Sequence, residues 1–109
     1  MSSYINELLK DYHRAMNKIF GNSLSSIVLY GSYARGDFND DSDMDIMILA
    51  NVPPEKICDY TDSVYEITYD FEMKYNLEIN PCVQSIHTFN KWKETYPFYI
   101  NIEKEGIAV

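Results

Sequence analysis

Two short apolar runs rich in β-forming residues, 26–30 (Ser-Ile-Val-Leu-Tyr) and 44–49 (Met-Asp-Ile-Met-Ile-Leu), bracket a polar, acid-rich stretch. Runs of this length and composition read as strands. The first is cut off sharply by Gly31-Ser32, and residues 36–42 lead into the second. Whatever else the chain builds, it must join these two strands across a loop that carries most of its local charge.

The remaining segments read as helices around that pair. From residue 4 to 20, Ile5, Leu8, Leu9, Tyr12, Met16, Ile19 and Phe20 form a helical stripe, and Gly21-Asn22 supplies the stop. Pro53-Pro54 suits a helix start. Beyond it Ile57, Tyr60, Val64, Ile67 and Phe71 recur at spacings of three and four, predicting a long amphipathic helix to about Tyr75. Residues 77–83 read as a third strand, which Pro81 assigns to an edge or a strand end. Residues 87–96 and 97–105 read as two short helices separated by Pro97. The order helix, strand, strand, helix, strand, helix, helix predicts an α/β (α+β) fold, a small mixed sheet flanked by helices.

At 109 residues the chain has room for one domain, taken as 1–109, with one hydrophobic core. A net charge of −8 argues against direct nucleic-acid binding, because a phosphate backbone needs clustered Lys and Arg. No apolar run reaches the ~20 residues that span a bilayer, and the opening Met-Ser-Ser-Tyr-Ile-Asn-Glu has no secretion-signal pattern. Cys58 and Cys82 lie far apart without metal-ligand spacing, so they are expected to be buried, reduced thiols of a cytoplasmic protein. Tyrosines at helical spacing are expected in the core or at interfaces, with room left for a homo-oligomer.

Asp37, Asp40, Asp41, Asp43 and Asp45 crowd one segment that contains no base. Like charges so close repel and raise one another's pKa, and a divalent cation is the simplest compensation. A solvated acidic loop is the alternative, but the spacing weighs against it. Asp43 and Asp45 are two apart at the mouth of a strand, so both carboxylates project on one side while Met44, Ile46 and Ile48 point to the other. Two hard oxygen ligands on a rigid strand suit Mg²⁺, which takes its remaining ligands from water and substrate phosphates. Gly31 lets backbone approach a ligand closely, and Ser32 opens a short helix whose free N–H groups and hydroxyl suit an anion. A phosphate cradle opposite a metal site is the geometry of phosphoryl or nucleotidyl transfer.

Gly-Ser-Tyr-Ala-Arg-Gly at 31–36, followed by Ser-Asp-Met-Asp-Ile at 42–46, resembles the signature of the DNA polymerase β-like nucleotidyltransferases. More narrowly, the chain looks like their minimal nucleotidyltransferase members. The resemblance implies that Gly31 and Ser32 bind the outer phosphates of ATP and that Asp43 and Asp45 ligate two Mg²⁺ ions. The family's third carboxylate falls on Glu78, where Glu replaces the commoner Asp; a solvated strand glutamate is the alternative, and Asn80 on the same face could share the role. Arg35 either neutralises the triphosphate or pairs with Asp37, Asp40 or Asp41. Ser42 belongs to the same nucleotide-binding loop and is expected to shape it. His13 and His87 lack catalytic partners and are expected to be structural.

The same resemblance implies a partner. Minimal nucleotidyltransferases pair with small helical HEPN-type toxins, and it implies AMP transfer from ATP to a tyrosine hydroxyl of that toxin. Two other readings stand beside it: an antitoxin that neutralises by binding alone, and a small-molecule enzyme of the aminoglycoside type.

Overall fold

The computed structural model describes residues 2–109. Helix α1 (Ser3–Phe20) is capped by the Ser2 hydroxyl, which accepts from the Ile5 N–H, and it ends at Gly21. Strand β1 (Leu24–Tyr30), the one-turn helix α2 (Ser32–Arg35) and strand β2 (Met44–Ala50) follow. A 3₁₀ turn at Pro54–Lys56 leads into α3 (Cys58–Tyr75), which Asn76 closes in a left-handed conformation. Then come β3 (Ile79–Ser85), α4 (Ile86–Trp92), α5 (Pro97–Glu105) and the two-residue β4 (Ile107–Ala108).

The sheet runs β3-β2-β1-β4, with β1 antiparallel to β2 and β4, and β3 parallel to β2. It is the small mixed sheet flanked by helices that the element order predicts. Strand β3 lies at an edge, where Pro81 removes no hydrogen bond from an interior ladder. Helix α3 must separate β2 from β3, because a parallel pair cannot be joined by a tight turn.

Alternation along β2 feeds two cores. Met44, Ile46 and Ile48 meet Ile27 and Leu29 of β1 and the buried stripe of α1, with Val64 and Tyr75 from α3. Met47 and Leu49 point the other way and pack on Phe89 of α4 and Ile102 of α5. With both faces covered, β2 reads as a nearly continuous apolar run, as the sequence shows. Within the larger core, Tyr12 and Thr68 join α1 to α3 by a buried 2.7 Å hydrogen bond between hydroxyls. Burial pushes the Tyr12 hydroxyl up to about 12, so it stays protonated and able to donate.

Several expectations need correction. Cys58 is exposed and Cys82 only half-buried, because Cys58 opens α3 at its solvent end and Cys82 sits on an edge strand. The helix expected over 87–96 stops at Trp92, and the third strand begins two residues later than expected and runs on to Ser85. Strand β4 went unread, being too short to show alternation. No helix among the described residues is long and apolar enough to cross a membrane.

Candidate active site

Strand β1 delivers its last residue, Tyr30, opposite Asp45 of β2. Gly31 then turns the chain with φ of 73°. A side chain there would be strained, and its Cβ would collide with the Asp45 carboxylate. Glycine is thus what allows the end of β1 to close on the acid of its neighbour. Ser32 begins α2, whose Ala34 and Arg35 N–H groups both donate to the Gly31 carbonyl, 3.1 Å each. The first N–H groups of that turn have no partner inside it.

The acids come from three neighbouring positions. Asp45, half-buried on β2, pairs in register with Asn80 of β3 and accepts a 3.1 Å hydrogen bond from its side-chain amide. One step earlier the Met44 N–H donates to the Glu78 carbonyl at 2.9 Å, so the ladder sets Glu78 beside Asp43. Their carboxyls lie close enough to share a hydrogen bond. That bond and the charge of Asp43 raise the Glu78 carboxyl above its ordinary pKa, with smaller contributions from desolvation and Glu72. Asp43 and Glu78, each one residue ahead of its strand, and Asp45 and Asn80, in register on β2 and β3, thus form a two-by-two patch at one end of the sheet.

Glu72 fixes the start of β3 from the side: its carboxylate accepts the Ile79 N–H at 2.9 Å. An open cleft of about 570 Å³ lies over this end of the sheet, lined by Tyr33, Asp43, Glu78 and the last turn of α3 among others. Burial raises the Tyr33 hydroxyl, helped by Asp40 and Asp43. Ser42 lines the same cleft, with its hydroxyl accepting from the Asn39 N–H at 3.0 Å and its own N–H donating to the Asn39 carbonyl. Asn39 in turn accepts from the Asp41 N–H at 2.8 Å, so local bonds hold the acidic loop in shape.

Gly31 and Arg35 line a second hollow of about 160 Å³, shared with Phe98 and Asn101 of α5. Arg35 binds Asp37 at 3.3 Å and Glu105 of α5 at 3.6 Å. Of the three acids the sequence offered it, only Asp37 is engaged; Glu105 is a partner that no local pattern announces. The histidines lie elsewhere. His13 Nδ1 meets the Val109 carbonyl at 2.8 Å, and the His87 N–H donates to Ser85 in the cap of α4.

Among the described residues, no three His, Cys, Asp or Glu side chains converge tightly enough to enclose a metal ion by themselves. The donor set is nevertheless chemically suited to Mg²⁺: hard carboxylate oxygens, two of them in mutual repulsion, beside a cleft open to water and phosphate oxygens. Glu72, Tyr33 and Asn76 were missed by sequence reading. Glu72 and Asn76 reach the cleft from the end of α3 and carry no motif, and Tyr33 fills the variable position of the Gly-Ser-x-Ala-x-Gly stretch.

A strand ending in Gly-Ser against an Asp-x-Asp strand, with a further acid from a parallel neighbour, is the layout of a nucleotidyltransferase of the polymerase β-like superfamily. The chain belongs to the nucleotidyltransferase domain family, which matches residues 9–109. It is 35% identical over 98 residues to a protein of Methanocaldococcus jannaschii named "Putative protein adenylyltransferase", covering 90% of each chain. A second protein of that name from the same organism is 30% identical over 106 residues, covering 94% of this chain and 96% of its own. The fold is also similar to a crystal structure described as a putative nucleotidyltransferase from Sulfolobus solfataricus. That match has a TM-score of 0.54 at 16% identity and covers 99% of this chain and 86% of the other.

Proposed function

We propose that this protein transfers AMP from ATP to a tyrosine hydroxyl of a partner protein, in a Mg²⁺-dependent reaction. The observation that carries this reading is the patch of Asp43, Asp45, Glu78 and Asn80 set against the Gly31-Ser32 turn. The relatives' naming as protein adenylyltransferases supports AMP as the group moved and protein as the acceptor.

Each residue has a task in the transfer. The Gly31–Ser32 backbone and the Ser32 hydroxyl hold the outer phosphates of ATP. Asp43, Asp45 and Glu78 would hold Mg²⁺, which supplies neutralisation of the triphosphate charge. Asn80 fixes the Asp45 carboxylate by donating to it, and Ser42 holds the loop that ends at Asp43. The acceptor oxygen attacks the α-phosphorus, the bond to the bridging oxygen breaks, and pyrophosphate departs. Glu78, the acid nearest Asp43, receives the hydroxyl proton. Arg35 exchanges Asp37 and Glu105 for the departing phosphates.

The acceptor that fits the resemblance is a helical HEPN-type ribonuclease, with this chain as its antitoxin. A phosphodiester placed on a tyrosine beside an RNA-binding surface would repel the RNA backbone. The test is a sub-stoichiometric amount of this protein with ATP and Mg²⁺ against excess ribonuclease. Loss of ribonuclease activity with a gain of AMP mass on a tyrosine peptide is expected. Equal protection by Asp43→Asn at matched stoichiometry, with no mass gain, would replace chemistry by occlusion.

A further inference from the structure

Helix α3 turns one side to the core, where it buries Val64, Thr68 and Tyr75. On its outer side Tyr65, Tyr69 and Met73 stand one turn apart and are 56%, 52% and 68% exposed. Residues four apart share a helix face, so the three make a continuous apolar band about 12 Å long. The band ends at the catalytic cleft, because Met73 is also part of that cleft's lining. Two exposed tyrosines and a methionine in line are the side chains enriched at protein interfaces and depleted from idle surface.

The surroundings of the band are uniformly acidic. Asp59, Asp62, Glu66 and Asp70 lie along the same outer side and are all exposed. Lys74, the next-to-last residue, is the only base in the helix. An apolar band flanked by carboxylates selects a partner with basic residues beside an apolar or aromatic centre, and its field speeds the encounter. It also rejects nucleic acid.

We infer that the outer face of α3 docks the acceptor protein through a basic surface, and so delivers the acceptor hydroxyl to the cleft at Met73. This rests on the protein-acceptor reading above and adds the surface that selects the acceptor. It makes α3 a specificity element remote from ATP. Tyr65, Tyr69, Glu66 and Asp70 then contribute to acceptor KM without touching the reacting atoms.

The test uses two fluorescent peptides of equal length, each with one central tyrosine, one flanked by lysines and the other by glutamates. Anisotropy reads docking without chemistry, and α-labelled ATP with Mg²⁺ reads transfer. The lysine peptide should bind at least tenfold more tightly, with the advantage shrinking as salt is raised. Tyr65→Ser/Tyr69→Ser and Glu66→Lys/Asp70→Lys should each cost tenfold or more in peptide affinity, with Mg²⁺-ATP binding by calorimetry unchanged. Equal affinity for the two peptides, or wild-type affinity in both variants, overturns the docking surface. Docking that depends on these residues but yields no transfer overturns the adenylyl-transfer reading and leaves the surface standing. Sedimentation of the protein alone supplies the last arm: a dimer that the same variants dissolve makes this face a self-contact and removes the proposal.

Discussion

Strands β2 and β3 are parallel neighbours that both carry site residues, yet they are built differently. Along β2 every residue except Asp45 is buried, and strands bond it on both sides. Along β3 only Ile79 and Ser85 are buried, Pro81 interrupts its donors, and one side bonds no strand. Asp45 therefore stands on a strand fixed by packing from two cores, whereas Glu78 hangs from the first rung of an edge. Catalysis needs carboxylates held within a fraction of an ångström, and the buried central strand fixes the backbone that carries Asp45. The edge strand needs help, and it takes it from Glu72, which grips the Ile79 N–H, and from Asn80, which reaches across to Asp45.

That contrast can be broken by mutation. Asp45→Asn and Asp43→Asn should each lower AMP transfer by about 10³-fold or more, the scale of losing a group that stabilises transition-state charge. Circular dichroism should show the fold retained, since both side chains lie at the open end of the strand. Transfer within tenfold of wild type for either variant would move the catalytic centre off β2.

The next effect concerns stability. Ile46→Ala should cost about 2–5 kcal/mol in urea unfolding, because it empties a fully buried position. Val83→Ala, half-buried on β3, should cost about 1 kcal/mol. Equal losses would erase the distinction between packed centre and loose edge.

Glu78→Gln should then reduce transfer by roughly 10²-fold, less than the β2 aspartates, as expected for a lost proton acceptor. Full activity in Glu78→Gln would place the third acid elsewhere. A pH series without metal sharpens the point. Because the folded Glu78 pKa is raised, its neutral form favours the folded state, and that stability is lost as pH rises through the raised value. Metal-free Glu78→Gln should therefore melt above wild type at pH 7, with the difference vanishing in acid. Added Mg²⁺ should raise the wild-type melting temperature more than the variant's. A wild type that melts higher without metal would mean that Asp43 and Glu78 do not repel.

Much of this architecture was legible before any coordinates. Stripes at helical spacing located α1 and α3, because a helix that buries one side must repeat its apolar residues. The turn from Tyr30 to Gly31 and the Asp-x-Asp at the mouth of β2 marked the candidate site, because close backbone approach and shared carboxylate direction leave local marks. Pro81 marked the edge. What escaped notice was set by residues distant in the chain: Glu105 arriving at Arg35, Glu72 at Ile79, and β4 against β1. Cys58 escaped for a simpler reason, that thiols follow the burial of their element rather than decide it.

The Glu72–Ile79 hydrogen bond has a mechanical consequence. It pins the last turn of α3 to the first residue of β3, and Glu78 is the next residue back. A protein seated on the outer face of α3 would rest on the same helix whose last turn fixes the start of β3. The docking side and the acid-bearing end of the edge strand would then share one anchor, Glu72.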